Sequence, residues 1–162
     1  MVNDTLESMI CFPTPIYLIK KLEFLDAVRK TSIEYLSKIT QDMDEIYPDK
    51  TTQDFSEDET IRDFAQYVTD TSLNILINQG HNTKNKSTCL TEMWCQEHYK
   101  FSHMSQHIHG NGTQIVGFYF LDVPKDSCLA VFHDPRPGKI QMGCEEHDET
   151  MITHASSSFH IR

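Results

Sequence analysis

The chain has 162 residues, of which 38% are hydrophobic and 23% charged, the composition of an ordinary soluble globular protein. Its formal net charge is -10, and its 14 lysines and arginines leave little material for a basic surface, which disfavours nucleic acid and anionic membranes as partners. Length and composition together predict a single domain spanning residues 1–162.

The chain begins with an extended segment and a helix. Pro13 and Pro15 exclude a helix near the start, and they favour an edge strand or a strap. The pattern changes at Leu22, after which apolar residues recur at helical spacing. This periodicity predicts a first helix over about 24–39.

A second helix is expected after an acidic, polar loop. Ser56 and Glu59 have the spacing of a capping box, which marks a helix start. Apolar residues then repeat at helical spacing over 61–76, and Gly80 can end the helix in a left-handed conformation. We expect both helices of the segment 1–87 to pack on the core.

The second half of the chain, residues 88–162, has the character of short strands. Alternating or continuous apolar patterns with aromatic residues occur in four segments, 89–101, 115–123, 128–133 and 151–162. Helices followed by strands predict a mainly β, α+β fold, in which N-terminal helices cover an antiparallel sandwich or barrel.

Two histidines two residues apart stand out in the stretch HIHGNGTQIVGFYFL. Alternate residues of a strand face the same way, so His107 and His109 would share a face and could bind one ion. In a chain with nine histidines, this spacing is weak when taken alone. The glycine-containing turn that follows, the apolar strand and the polar cluster at 133–136 strengthen the metal interpretation.

The block from Trp94 to Pro137 resembles the 2-oxoglutarate/Fe(II)-dependent oxygenase family. The shared features are a strand that contains a tryptophan, the histidine pair and a strand rich in glycine and aromatic residues. A turn that contains a proline and an Asp-Pro-Arg sequence at 134–136 follow. The opening FPTPIY is also similar to the start of that family. The resemblance covers most of the chain in outline, but closely spaced matching residues occur only within this block.

The resemblance implies a double-stranded β-helix, the jelly-roll or cupin-like core, incomplete at its C-terminal end. It also implies Fe(II) as cofactor and 2-oxoglutarate as cosubstrate, whose oxidative decarboxylation drives hydroxylation of an unactivated C–H bond. His107 and His109 would be metal ligands. Tyr119 and Arg136 would contact the cosubstrate, the alternatives being a core aromatic residue and a structural ion pair.

Two features depart from the family pattern. The family usually has a carboxylate where this chain has His109, so the carboxylate would be either replaced by imidazole or supplied by another residue, with Asp134 and Asp122 as candidates. His160 is the candidate distal histidine, although its surroundings, SSSFHIR, lack the usual context. We therefore expect this chain to be C-terminally truncated relative to the family, and we expect a truncated form to be inactive.

Two other functions remain open at this point. One is a cupin-like metalloenzyme without 2-oxoglutarate, although Gln114 stands where cupins carry a glutamate. The other is a non-catalytic jelly-roll binding module. The substrate would be a small molecule or a protein side chain, and the sequence does not indicate an oligomeric state.

The five cysteines and the N-terminus bear on the location of the protein. No two cysteines form a CxxC pair, and the N-terminus lacks the basic start and apolar core of a signal peptide. No run approaches the roughly 18 apolar residues of a transmembrane helix. We expect free thiols and a cytoplasmic protein without a membrane span.

Overall fold

The computed structural model describes residues 9, 13–40, 49–110, 112–127, 130–135 and 158–161, and for 158–160 it describes the backbone alone. The chain divides into two compact units, Met1–Asn111 and Gly112–Arg162. The first unit contains the helices and one strand pair, and the second contains another strand pair.

The first helix, α1, spans Leu25–Leu36 and follows a 3-10 turn at Leu22–Phe24, which confirms the predicted helix. It ends earlier than expected because the N–H groups of Lys38 and Ile39 donate to carbonyls three residues back, those of Tyr35 and Leu36, at 3.2 and 3.1 Å. The chain after Leu36 therefore forms tight turns in place of a further α-helical turn.

The second helix, α2, spans Arg62–Asn78 after a 3-10 turn at Glu59–Ile61, and it confirms the second predicted helix. The predicted cap was wrong, because the carboxylate of Asp58, not the hydroxyl of Ser56, accepts a hydrogen bond from the backbone N–H of Thr60. Asp58 also directly precedes the first turn, where its carboxylate interacts favourably with the partial positive charge at the N-terminus of the helix.

The C-terminus of α2 has the geometry that the glycine predicted. Gly80 has φ +85°, in the left-handed region, and its N–H donates to the carbonyl of Ile77 at 2.9 Å. The N–H of His81 donates to the carbonyl of Leu76 at 3.0 Å. These two bonds form a Schellman motif, which satisfies carbonyl groups that the helix would otherwise leave unpaired.

The core of the first unit lies between α1 and the turn that leads into α2. Its buried apolar side chains are Val28, Phe55, Ile61 and Phe64. Tyr35 of α1 stacks on Phe55 with ring centroids 4.8 Å apart, and its hydroxyl donates to the carboxylate of Asp58 at 3.0 Å. Aromatic stacking and burial therefore attach α1 to the segment before α2.

Strand β1, Asp49–Thr51, pairs antiparallel with strand β2, Gln96–His98, in the register Asp49↔His98 and Thr51↔Gln96. β2 lies within the predicted segment 89–101. The prediction of a loop was wrong at β1, because a three-residue strand of polar residues has no apolar alternation. Its strand geometry comes from pairing with a partner far along the chain.

Side chains extend this ladder beyond β1. The N–H of Thr52 donates to the carbonyl of Cys95, and the N–H of Cys95 donates to the hydroxyl of Thr52, both at 2.9 Å. One step further, the N–H of Met93 donates to the carboxylate of Asp54 at 2.8 Å. Thr52 and Asp54 thus supply acceptors that backbone carbonyls supply in an ordinary ladder.

We expect the carboxylate of Asp54 to make the first unit less stable in acid. The N–H of Met93 and the backbone and hydroxyl of Ser56 hold the pKa of Asp54 below its ordinary value. A lowered folded-state pKa gives stability that is present above the unfolded value, near 4, and that is lost as pH falls through the folded value. The effect is modest because Asp54 is exposed.

Urea unfolding of the wild type and of Asp54→Asn at pH 7 and pH 2.5 measures this contribution. The wild type should be the more stable protein at pH 7, and the difference should shrink as the pH falls toward 2.5, because acid favours the protonated form of the carboxyl group. An equal difference at both pH values would show that the charged form of Asp54 is not what stabilises the loop.

The second unit contains strand β3, Ala130–His133, paired antiparallel with strand β4, Ser158–Ile161. β3 and β4 fall within the segments predicted as strands. The expected strand over 115–123 is not formed among the described residues, although Phe118 contacts Phe132 of β3 edge-on at 6.3 Å between ring centroids. Gly112, with φ +87°, has the turn conformation expected before that segment.

The thiols and the hydrophobicity of the helices bear on two expectations from the sequence. Cys89 and Cys95 are free thiols, as expected, and burial raises the pKa of the Cys95 thiol. A raised pKa keeps Cys95 in the protonated, unreactive form. Within the part of the chain that the structure describes, no helix is long and apolar enough to cross a membrane.

Candidate metal centre

The two histidines of the HIH sequence lie together on an exposed loop that follows β2. The ring centroids of His107 and His109 are 5.1 Å apart, and the ring planes are inclined by 56°. The residue between them, Ile108, is 92% exposed. The strand geometry from which a shared face was inferred is not formed at this position, but the two imidazoles are close together nonetheless.

A backbone contact fixes which nitrogen of His107 can bind a metal. Nδ1 of His107 lies 2.8 Å from the carbonyl oxygen of Ser105. A carbonyl oxygen only accepts hydrogen bonds, so Nδ1 carries the proton and the lone pair of the neutral ring lies on Nε2. Metal-binding histidines usually donate their second ring N–H in this way, because the bond fixes the tautomer and orients the ring.

The separation of the rings can be compared with the geometry of a shared ion. With a metal–nitrogen distance of about 2.1 Å and an angle between 90° and 110°, two imidazole centres lie about 4.6–5.3 Å apart. The observed 5.1 Å falls in this range. His107 and His109 therefore have the donor type that suits a divalent transition metal, and the separation of their rings is compatible with a shared ion.

The other predicted site residues belong to the second unit. His160 stands in β4 opposite Val131 of β3, and Asp134 follows β3 and is half-buried. Tyr119 is half-buried in the segment before β3, and Arg136 lies outside the described residues. The structure does not test these four residues as ligands or cosubstrate contacts.

Among the residues whose positions are described, no three histidine, cysteine, aspartate or glutamate side chains form a metal-binding group. The structure thus brings His107 and His109 together as a pair, and the identity of a third ligand remains a prediction.

A strained turn precedes the histidine pair. The N–H of Ser102 donates to the carbonyl of Tyr99 at 3.0 Å, and Phe101, the third residue of the turn, has φ +72°. The hydroxyl of Ser102 donates to the same carbonyl at 2.9 Å and lies 3.1 Å from Nδ1 of His98. These bonds hold Phe101 in a conformation that ordinarily favours glycine.

Phe101→Gly is expected to stabilise the protein by about 0.5–1 kcal/mol. The left-handed conformation costs a residue with a side chain about 1–2 kcal/mol, which exceeds the added chain entropy of glycine. Little packing is lost, because the ring is 72% exposed, and the contact of the Lys100 ammonium with the ring, 4.9 Å from its centroid, is lost in the control variant as well. Urea unfolding is the measurement. The matched control is Lys100→Gly, in the same turn but without positive φ, which should destabilise the protein; equal destabilisation by both would contradict the strain.

Sequence reasoning missed the carbonyl of Ser105 as the group that orients His107. A backbone carbonyl is present at every residue, so no sequence signal could have identified it. It also missed the turn at Phe101, because an aromatic residue is not expected at positive φ. Both features depend on the path of the loop.

This arrangement can bind a divalent transition metal through two neutral imidazoles. Neutral ligands leave coordination positions for a third protein group and for small molecules. The negative net charge of the chain favours attraction of a cation. Comparison of the chain with family models, with curated proteins and with solved structures finds no match.

Proposed function

We propose that this protein is an Fe(II)/2-oxoglutarate-dependent dioxygenase with a jelly-roll core that hydroxylates a small molecule or a protein side chain in the cytoplasm. The observation that carries the proposal is the histidine pair, whose rings are 5.1 Å apart. The bond from Nδ1 of His107 to the carbonyl of Ser105 supports it, because it directs Nε2 to be the ligand.

His107 and His109 would hold Fe(II), which together with 2-oxoglutarate supplies the oxidising chemistry when both are bound. The contribution of the loop is to hold the two imidazoles close together and to orient that of His107 before the metal binds. Because Nδ1 of His107 is already bonded to the Ser105 carbonyl, this ring loses little rotational freedom on binding a metal. This preorganisation favours affinity.

The remaining roles are proposed from the sequence resemblance. Asp134 or His160 would complete the coordination, and Tyr119 and Arg136 would contact 2-oxoglutarate. Titration of Asp134→Ala and His160→Ala with metal distinguishes the two ligand candidates, because only replacement of the third ligand should weaken metal binding.

The experiment that tests the proposal is an anaerobic titration of the purified chain with Fe(II), first alone and then with 2-oxoglutarate. We expect calorimetry to report Fe(II) binding, and addition of 2-oxoglutarate to produce a weak visible charge-transfer band. On admission of oxygen, succinate should form. Absence of metal binding would overturn the proposal.

Intermediate outcomes separate the alternatives. Metal binding without any response to 2-oxoglutarate, by absorbance or by calorimetry, would indicate a cupin-like metalloenzyme. A 2-oxoglutarate complex that yields no succinate would indicate a binding module that retains the site but has lost catalysis.

A further inference from the structure

We draw no further inference here: the strongest candidate, the exposed ring of Phe101 in the strained turn between β2 and the histidine pair, carries none because nothing in the structure shows what covers it.

Discussion

Replacement of both His107 and His109 by alanine should abolish Fe(II) binding measurable by calorimetry. The two imidazoles are the proposed ligands that the structure places close together, with ring centroids 5.1 Å apart. Loss of an outer hydrogen-bond partner of a metal ligand alone costs about 10–100-fold in affinity. Loss of a ligand itself should cost more, so we expect each single variant to weaken binding by at least about 100-fold.

The control variant for this experiment is His81→Ala. His81 is an exposed histidine of the same unit, just beyond the end of α2, and its removal should leave Fe(II) affinity unchanged. Circular dichroism and urea unfolding of every variant check that the first unit is folded. Equal affinity of the wild type and the double variant would exclude the pair as the metal site.

His109→Asp is a more discriminating variant, because it introduces the carboxylate that is usual at this position in the oxygenase family that the sequence resembles. Aspartate is a ligand that Fe(II) accepts beside histidine. We therefore expect His109→Asp to retain much of the affinity that His109→Ala loses. Equal loss in both variants would show that the imidazole of His109 acts in some way other than by ligation.

Ile61→Ala should destabilise the first unit by about 3 kcal/mol. Ile61 is 1% exposed and belongs to the 3-10 turn that packs against α1. Removal of three side-chain carbons from a buried site costs the transfer free energy of those atoms together with the cavity left behind, typically 2–5 kcal/mol. This is a large part of the free energy of unfolding of an ordinary domain.

The matched control is Ile33→Ala. Ile33 has the same side chain and lies in α1, but it is 57% exposed, so its truncation leaves no cavity. Alanine also has the higher helix propensity. We expect a change within about 0.5 kcal/mol in urea unfolding. Similar losses for Ile33→Ala and Ile61→Ala would contradict the placement of Ile61 in the core.

Local sequence signals predicted the helical part of the fold well. Apolar periodicity gave both helices to within a few residues, and Gly80 gave the end of α2, because helical hydrogen bonds join residues that are near in sequence. Strands depend on partners far along the chain. β1 was therefore missed, and the strand expected over 115–123 has no partner among the described residues.

In the candidate site too, local features were predictable from the sequence and features that depend on distant residues were not. The spacing of His107 and His109 makes their proximity predictable, because residues two apart in an open chain can share a side. The tautomer of His107 depends on the carbonyl of Ser105 and thus on the local path of the loop. The third ligand depends on contacts between distant residues, which periodicity and spacing do not report.

The side-chain acceptors beyond β1 make the hydrogen bonds at this end of the strand pair sensitive to mutation. An ordinary ladder uses backbone groups that every residue except proline supplies, so most substitutions leave its length unaltered. Here the N–H groups of Cys95 and Met93 donate to the side chains of Thr52 and Asp54. A single substitution at position 52 or 54 can therefore remove one hydrogen bond of this extension, whereas the backbone bonds from Thr52 to Cys95 and from Phe55 to Met93 do not depend on side-chain identity.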